Sequence, residues 1–339
     1  MENLPAVITE EEEEANTKFK KLISTLPKEK GTTVLCQYQG FWYPLSVLRG
    51  ILYVQENFNS CPTDIFLCSA PKTGTTWLKA LSFAISTRDR FDIENNNPLL
   101  TNVPHVLIPF LESDPAKIPS INRDTHIPLI ATHLPFSALP KSVKSLDGTK
   151  IIYVCREPKD TFISLWHFMQ NWPMRLKQGT TTTEPISTYF EKEFELFCEG
   201  KTMGGPYWDH VLEYWKKSLE KPESVLFLKY EELTKDTLFY VRKMAEFMGK
   251  PFSRDEEEQG VPEKIVKLCS FENLSNLEVN KSGKHDTFEI DNKNYFRKGK
   301  PGDWKNHLTS NMIDIMDNIT KEKLSGSSFC FGASSTANI

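Results

Sequence analysis

The sequence predicts an α/β fold: a single domain whose central, mostly parallel sheet is flanked by helices. Three observations predict it. Short apolar runs rich in β-branched and aromatic residues recur at Asp64–Ser69, Lys150–Cys155 and Val225–Tyr230. Each is followed by helical spacing, over Thr75–Ile85, Thr161–Asn171 and a stretch that includes Val241–Met248. No repeat, Gly/Ser linker or composition break marks a second domain. Strands that each lead into a helix build a parallel sheet covered on both faces, and a strand buried on both faces reads as a continuous apolar run. A chain of 339 residues can bury one large core. Ligands of such sheets gather at the carboxyl ends of the strands, so the residues just after each run are the candidates for function.

Composition narrows the function classes. Hydrophobic content of 39% with 25% charged residues is that of a globular protein. Forty-one Lys+Arg against 45 Asp+Glu leave a net charge of −4, which excludes the broad basic field that nucleic-acid binding uses. Any anion site has to be built locally. The first sixteen residues are acidic, without the basic and apolar regions of a signal peptide. No run approaches the roughly 18 apolar residues of a membrane span. Seven scattered cysteines without a Cys-x-x-Cys pair fit free thiols in a reducing compartment. The expectation is a cytoplasmic protein with no nucleic-acid or membrane partner. Residues 1–30 read as an acidic arm, its Glu10–Glu14 block either mobile or the start of a helix. Residues 31–332 read as the main domain, and 333–339 as a flexible tail.

The first strand runs into Ser69-Ala-Pro-Lys72-Thr73-Gly74-Thr75-Thr76-Trp77. A strand, a turn with glycine and a helix start aim backbone N–H groups and the positive helix end at one point. Lys72 adds a charge there, and Thr73, Thr75 and Thr76 add hydroxyls. This is the chemistry of a phosphate or sulfate cradle, although an N-capped helix after a turn also uses such residues. The nucleotide-triphosphatase loop needs its Lys after the last Gly, whereas Lys72 precedes Gly74. The second strand ends in Arg156 where a triphosphatase favours a magnesium-binding Asp. A positive side chain at that corner points to anion neutralisation without metal.

Pro71-Lys-Thr-Gly-Thr-Thr-Trp77 resembles the 5′-phosphosulfate loop of the cytosolic sulfotransferases. The resemblance continues through Tyr153–Asp160 with Ser164, Gly205–Trp215, Lys229–Leu233 and Arg297–Asn306. Phe41-Trp-Tyr-Pro, Pro104–Phe110 and Cys269–Leu274 are similar to the plant branch of that family. The resemblance implies a P-loop-like sulfotransferase fold. It also implies transfer of a sulfuryl group from 3′-phosphoadenosine 5′-phosphosulfate to a hydroxyl of a small, largely apolar acceptor. Adenosine 3′,5′-bisphosphate is then the nucleotide product, and no metal is required.

By the same resemblance, Lys72, Thr73, Gly74, Thr75 and Thr76 hold the 5′ end of the donor. Arg156, Ser164, Arg297, Lys298 and Gly299 grip the 3′-phosphate, where a planar guanidinium suits phosphate geometry. Trp77 stacks on adenine and Tyr230 touches its edge. His133, in Ala131-Thr-His-Leu-Pro135, is the general base for the acceptor hydroxyl. Lys72 stabilises charge on the leaving phosphate oxygen. Phe41, Phe110 and Phe168, with His133, line the acceptor pocket. An aromatic pocket suits planar phenolic or steroid-like alcohols. The plant-branch likeness puts a flavonoid first, then hydroxyjasmonate, brassinosteroid or desulfoglucosinolate.

Two departures stand out. Ala131 occupies a position where animal relatives carry Lys, and the stretch from Lys305 to Asp314 has Ser310 and Asp314 where their dimer segment has Val and Glu. A monomer is therefore expected. Two other readings stay open on the residues. One is an ATP-using small-molecule kinase, whose metal-binding acid could only be Glu231 or Glu232. The other is a catalytically silent nucleotide-binding relative, against which the intact Lys72, His133, Ser164 and Arg297 stand.

Overall fold

Ile65–Ser69 (β4), Leu129–Thr132 (β5), Lys150–Cys155 (β6) and Val225–Lys229 (β7) pair in the order β5-β4-β6-β7, every pairing parallel. The computed structural model describes residues 10–113, 127–172, 186–285 and 289–332. Nearly every residue of the four strands is buried, which is why the sequence shows unbroken apolar runs there. Side chains alternate between two cores, as a strand's period of two demands. Ile65, Leu67, Ile152 and Val154 face one cluster with Leu78, Leu81 and Met244. Phe66, Cys68, Ile151 and Tyr153 face the other, with Phe162, Trp208 and Tyr214.

The helices that supply those clusters follow the strands. Thr75–Thr87 (α3) follows β4 and extends two residues past the spacing read from sequence. Before β5 come the single turn Pro104–Leu107 (α4), and before β6 the turn Lys141–Lys144 (α5). Pro158–Gln170 (α6) follows β6 and starts three residues before the predicted Thr161. Pro158 sits at the helix start, where its fixed φ and missing N–H cost nothing. Ile186–Cys198 (α7) and Tyr207–Glu220 (α8) precede β7. The helix predicted to include Val241–Met248 spans Thr237–Phe247.

The N-terminal region adds a second layer. Glu10–Thr25 is a helix (α1), so the acidic block begins a helix. Lys28–Lys30 (β1), Val34–Tyr38 (β2) and Phe41–Pro44 (β3) form an antiparallel sheet, and Leu45–Asn57 (α2) follows. Residues 28–30, placed with the arm by the sequence, are thus paired into this sheet. Phe19, Ile23 and Leu26 pack on the main core. Backbone bonds from Trp42 N–H to Gly205 O (3.0 Å) and from Gly204 N–H to Trp42 O (2.9 Å) tie β3 to the turn before α8. The tail at 333–339 lies outside the described residues. Among the described residues no helix is long and apolar enough to cross a membrane.

Candidate active site

A cavity of about 690 Å³ opens where the parallel strands end. All four deliver a residue to it: β4 through the turn holding Lys72, β5 through His133, β6 through Arg156 and β7 through Tyr230.

One end of the cavity is built on backbone turns and cations. Lys72 has φ of 69° and Gly74 φ of 123°, so the turn uses two left-handed residues in three. A Cβ at Gly74 would also lie 2.9 Å from the Tyr230 ring, which reserves the position for glycine twice over. Burial, then the charges of Arg156 and Arg297, push the Lys72 amine down to about 7. Lys72 makes no ion pair among the described residues. Two guanidinium groups more than eighty residues away in sequence therefore crowd the same lysine.

Each of those groups is seated by its own contacts. The Arg156 guanidinium lies 4.6 Å over the Tyr230 ring and donates to Lys300 O at 3.0 Å. Arg297 donates to Asp303 at 2.5 Å. Asp160, in the first turn of α6, accepts from Gly302 N–H at 2.6 Å and Trp304 N–H at 3.2 Å. That carboxylate ties the Arg297–Gly299 segment to the end of β6. Gly299 has φ of 65°, and a Cβ there would fall 2.2 Å from Phe271 ring atoms. Trp77 and Tyr230 meet edge to face at 5.6 Å.

The other end centres on His133, whose ring is fixed from several sides. Its Nδ1 lies 2.8 Å from Ser69 O. A carbonyl only accepts, so Nδ1 carries the hydrogen and Nε2 keeps the basic lone pair. Its backbone N–H donates to Glu112 at 2.7 Å, and the other Glu112 oxygen takes the Thr132 hydroxyl at 2.8 Å. Its backbone O accepts from His210 Nε2 at 3.1 Å, leaving His210 Nδ1 to accept from the Tyr153 hydroxyl at 2.9 Å. Burial pushes the His133 imidazole down to about 3 and His210 to about 4, so both are neutral near pH 7. Phe110 packs on His133 with ring centres 4.6 Å apart.

Of the residues expected from sequence, Lys72, Gly74, Thr75, Thr76, Trp77, Arg156, Ser164, Tyr230, Arg297, Lys298, Gly299, Phe110, His133 and Phe168 line this one cavity. Two do not. Thr73 is buried behind the turn, its hydroxyl donating to Ala70 O and Val154 O at 2.9 and 3.0 Å. It pins the turn to β6. Phe41 is 5% exposed and meets His210 edge-on at 6.1 Å instead. From β3 it is Tyr43 and Pro44 that reach the wall, although Phe41 and Tyr43, two apart, share a strand face. Sequence reasoning also passed over Glu112, Trp172, His105 and Tyr295. Tyr295 stacks on His105 at 4.0 Å and, like Phe168, lies beside the Lys72 amine. Only Glu112 left a signal, as an acid directly after the apolar run Val106–Leu111.

Parallel strands that end on a turn crowded with cations and on a buried imidazole give this cavity the layout of a group-transfer site. Residues 62–328 match the family model described as "Sulfotransferase domain", and the chain belongs to the sulfotransferase family. It is similar to a flavonol 4′-sulfotransferase of Flaveria chlorifolia, 47% identical over 90% of this chain and 94% of that one. It is also similar to cytosolic sulfotransferase 17 of Arabidopsis thaliana, 44% identical over 92% and 89%. Among solved structures, an Arabidopsis thaliana sulphotransferase superposes with a TM-score of 0.72 at 37% identity, over 97% of this chain and all of that one. A mouse sulfotransferase complexed with PAP superposes with a TM-score of 0.65 at 28% identity, over 86% and 95%.

Proposed function

We propose that this sulfotransferase moves the sulfuryl group of 3′-phosphoadenosine 5′-phosphosulfate onto a phenolic hydroxyl of a flavonoid-like acceptor, with His133 as general base. The observation that carries the donor assignment is the gathering of Lys72, Arg156 and Arg297 in one cavity, where burial first and the two guanidinium charges second lower the lysine to about 7. Buried positive charge in excess is costly unless an anion joins it. A nucleotide with phosphate at both ends supplies that anion. The mouse relative's complex with PAP, adenosine 3′,5′-bisphosphate, fits the same reading.

Bound, the donor supplies a sulfuryl group on its 5′-phosphate and a good leaving group. The chain's own residues do the rest. The acceptor hydroxyl gives its proton to His133 Nε2 as its oxygen becomes nucleophilic, while Nδ1–H stays on Ser69 O. Glu112 and His210 hold the His133 backbone, and the Nδ1–H bond to Ser69 O holds the ring as it charges. Lys72 and the α3 N-terminus place positive potential where charge gathers on the departing phosphate. Arg156, Ser164 and the Arg297–Gly299 segment anchor the far phosphate. Phe110, Phe168, Trp172 and Tyr43 bound an aromatic space beside His133 that suits a flat phenolic ring.

Of the two acids the kinase reading needs, Glu232 does not line the cavity, and Glu231, which does, has one oxygen bonded to the backbone. Glu231 accepts the Glu157 N–H at 2.9 Å, and Glu232 receives the Tyr240 hydroxyl at 2.8 Å beside Lys229. The test is incubation with a flavonol and either the phosphosulfate donor plus chelator or ATP with magnesium. Product with the first alone supports the proposal, and product confined to ATP overturns it. His133→Ala should cost about 10²–10⁴ in kcat while adenosine 3′,5′-bisphosphate still binds. Turnover within about tenfold of the parent would remove the base assignment.

A further inference from the structure

Lys79 is the one fully buried lysine among the described residues, at 0% exposure on the inner face of α3. It lies one turn beyond Thr75 of the cradle, among Leu78, Leu81 and other apolar side chains. Its Nζ finds no hydrogen-bond partner among the described residues. What it finds is the face of the Phe110 ring, 3.4 Å from amine to ring centre. Phe110 is itself pinned beside β5: it bridges to Ala131, Leu111 N–H donates to Ala131 O at 2.8 Å, and Ala131 N–H donates to Pro109 O at 3.0 Å. The same ring lines the cavity and packs on His133.

A leucine or methionine would fill this helix face without stranding an amine. Burial drives the amine's pKa far down, and the nearby Glu112 carboxyl only partly opposes that. The site is therefore costly to the fold. In either protonation state the amine presents N–H groups to the electron-rich ring face, a contact that fixes both the tilt and the depth of the ring.

We propose that Lys79 is a positioning residue for the acceptor: its amine holds Phe110 against His133, and Phe110 in turn sets the acceptor hydroxyl beside the base. This rests on the reading of His133 and Phe110 as the acceptor side of the site. It assigns Lys79 no contact with either substrate.

The experiment is a double-mutant cycle with Lys79→Met and Phe110→Leu, scored by kcat/KM for a flavonol acceptor and by the Kd of adenosine 3′,5′-bisphosphate. Lys79→Met keeps the stem and removes the N–H groups. It should lower acceptor kcat/KM about tenfold, leave nucleotide Kd within about twofold, and raise Tm by about 2 °C or more because a stranded amine is gone. In the Phe110→Leu background the same change should cost less than about twofold, because the two act as a unit. Unchanged acceptor kcat/KM in Lys79→Met, an equal loss in both backgrounds, or a parallel loss of nucleotide binding would each overturn the proposal. Lys79→Leu serves the same cycle should methionine fail to pack. The His133→Ala result is read apart from this: if that variant keeps turnover the base assignment falls, while the cycle still reports whether Lys79 works through Phe110.

Discussion

The two ends of the cavity are made differently. The donor end consists of backbone turns and cations, and directional bonds tie its frame together. Thr73 holds the turn to β6, Arg156 reaches Lys300, and Asp160 holds the segment after Arg297. The acceptor end consists of side chains, Tyr43, Phe110, Phe168, Trp172 and Tyr295, that arrive from four separate stretches and meet mainly ring against ring. Directional bonds give a fixed site for a fixed ligand. Apolar ring contacts set a shape that small changes can retune. Donor-end substitutions should therefore cost orders of magnitude, and acceptor-end ones only factors.

The largest effect is expected at Lys72. Lys72→Ala should lower kcat by about 10²–10³, the range for losing one preorganised electrostatic partner. A loss confined to acceptor KM would remove Lys72 from the donor end. Its pKa gives a second test with a definite sign. In the free protein the amine is held down to about 7, so it loses its proton as pH rises through that value. Donor kcat/KM should then fall above pH 7, approaching tenfold per unit, and Lys72→Arg should flatten that limb because guanidinium stays charged. A flat profile from pH 7 to 9 in the parent would contradict a Lys72 amine lowered by burial and by the two guanidinium charges. Next comes Asp160→Ala, which removes the two bonds to Gly302 and Trp304. Passing on to the nucleotide site the worth of one bond to a charged group, about 1.5–3 kcal/mol, should raise the Kd of adenosine 3′,5′-bisphosphate by about ten- to a hundredfold by calorimetry. Acceptor KM at saturating donor should hardly move.

The same contrast explains what the sequence made legible. The donor turn is written in consecutive residues, because left-handed backbone at Lys72 and Gly74 and a helix start at Thr75 are local demands. Each apolar run announced its strand except β5. Leu129-Ile-Ala-Thr is too short to stand out, and its pairing with β4 is a tertiary event. Arg297 could be joined to Arg156 only through a family likeness, since the Asp160 bridge spans over 140 residues. The acceptor wall was the least legible. A phenylalanine on the wall and one behind it look alike in sequence, and Phe41 and Tyr43 differ in destination while sharing a strand face. Lys79 read as one polar residue in a helix; that it is wholly buried follows from how α3 packs on the sheet.

At the acceptor end, Tyr43→Val should shift acceptor KM by about three- to tenfold, since trimming one well-packed wall residue is worth on the order of 1 kcal/mol. Nucleotide Kd should stay put. A change of a hundredfold or more would show that this end is as rigidly specified as the other.

The smallest effect is expected at Phe41, two residues away on the same strand. Its ring is buried against the edge of His210 and lies outside the cavity wall. Phe41→Leu removes that edge contact and part of the buried area, so stability should fall by about 1 kcal/mol, read as a Tm lower by about 2–4 °C. The Phe41 ring meets His210, whose Nε2–H donates to His133 O. Tyr153 holds the other nitrogen of that imidazole, so losing a ring neighbour should leave the bond in place. Acceptor KM and kcat should both stay within about twofold, a change of roughly 0.4 kcal/mol or less. If Phe41→Leu instead altered acceptor KM as much as Tyr43→Val, the whole strand face would belong to the acceptor site. The division between wall and support drawn at β3 would then be wrong.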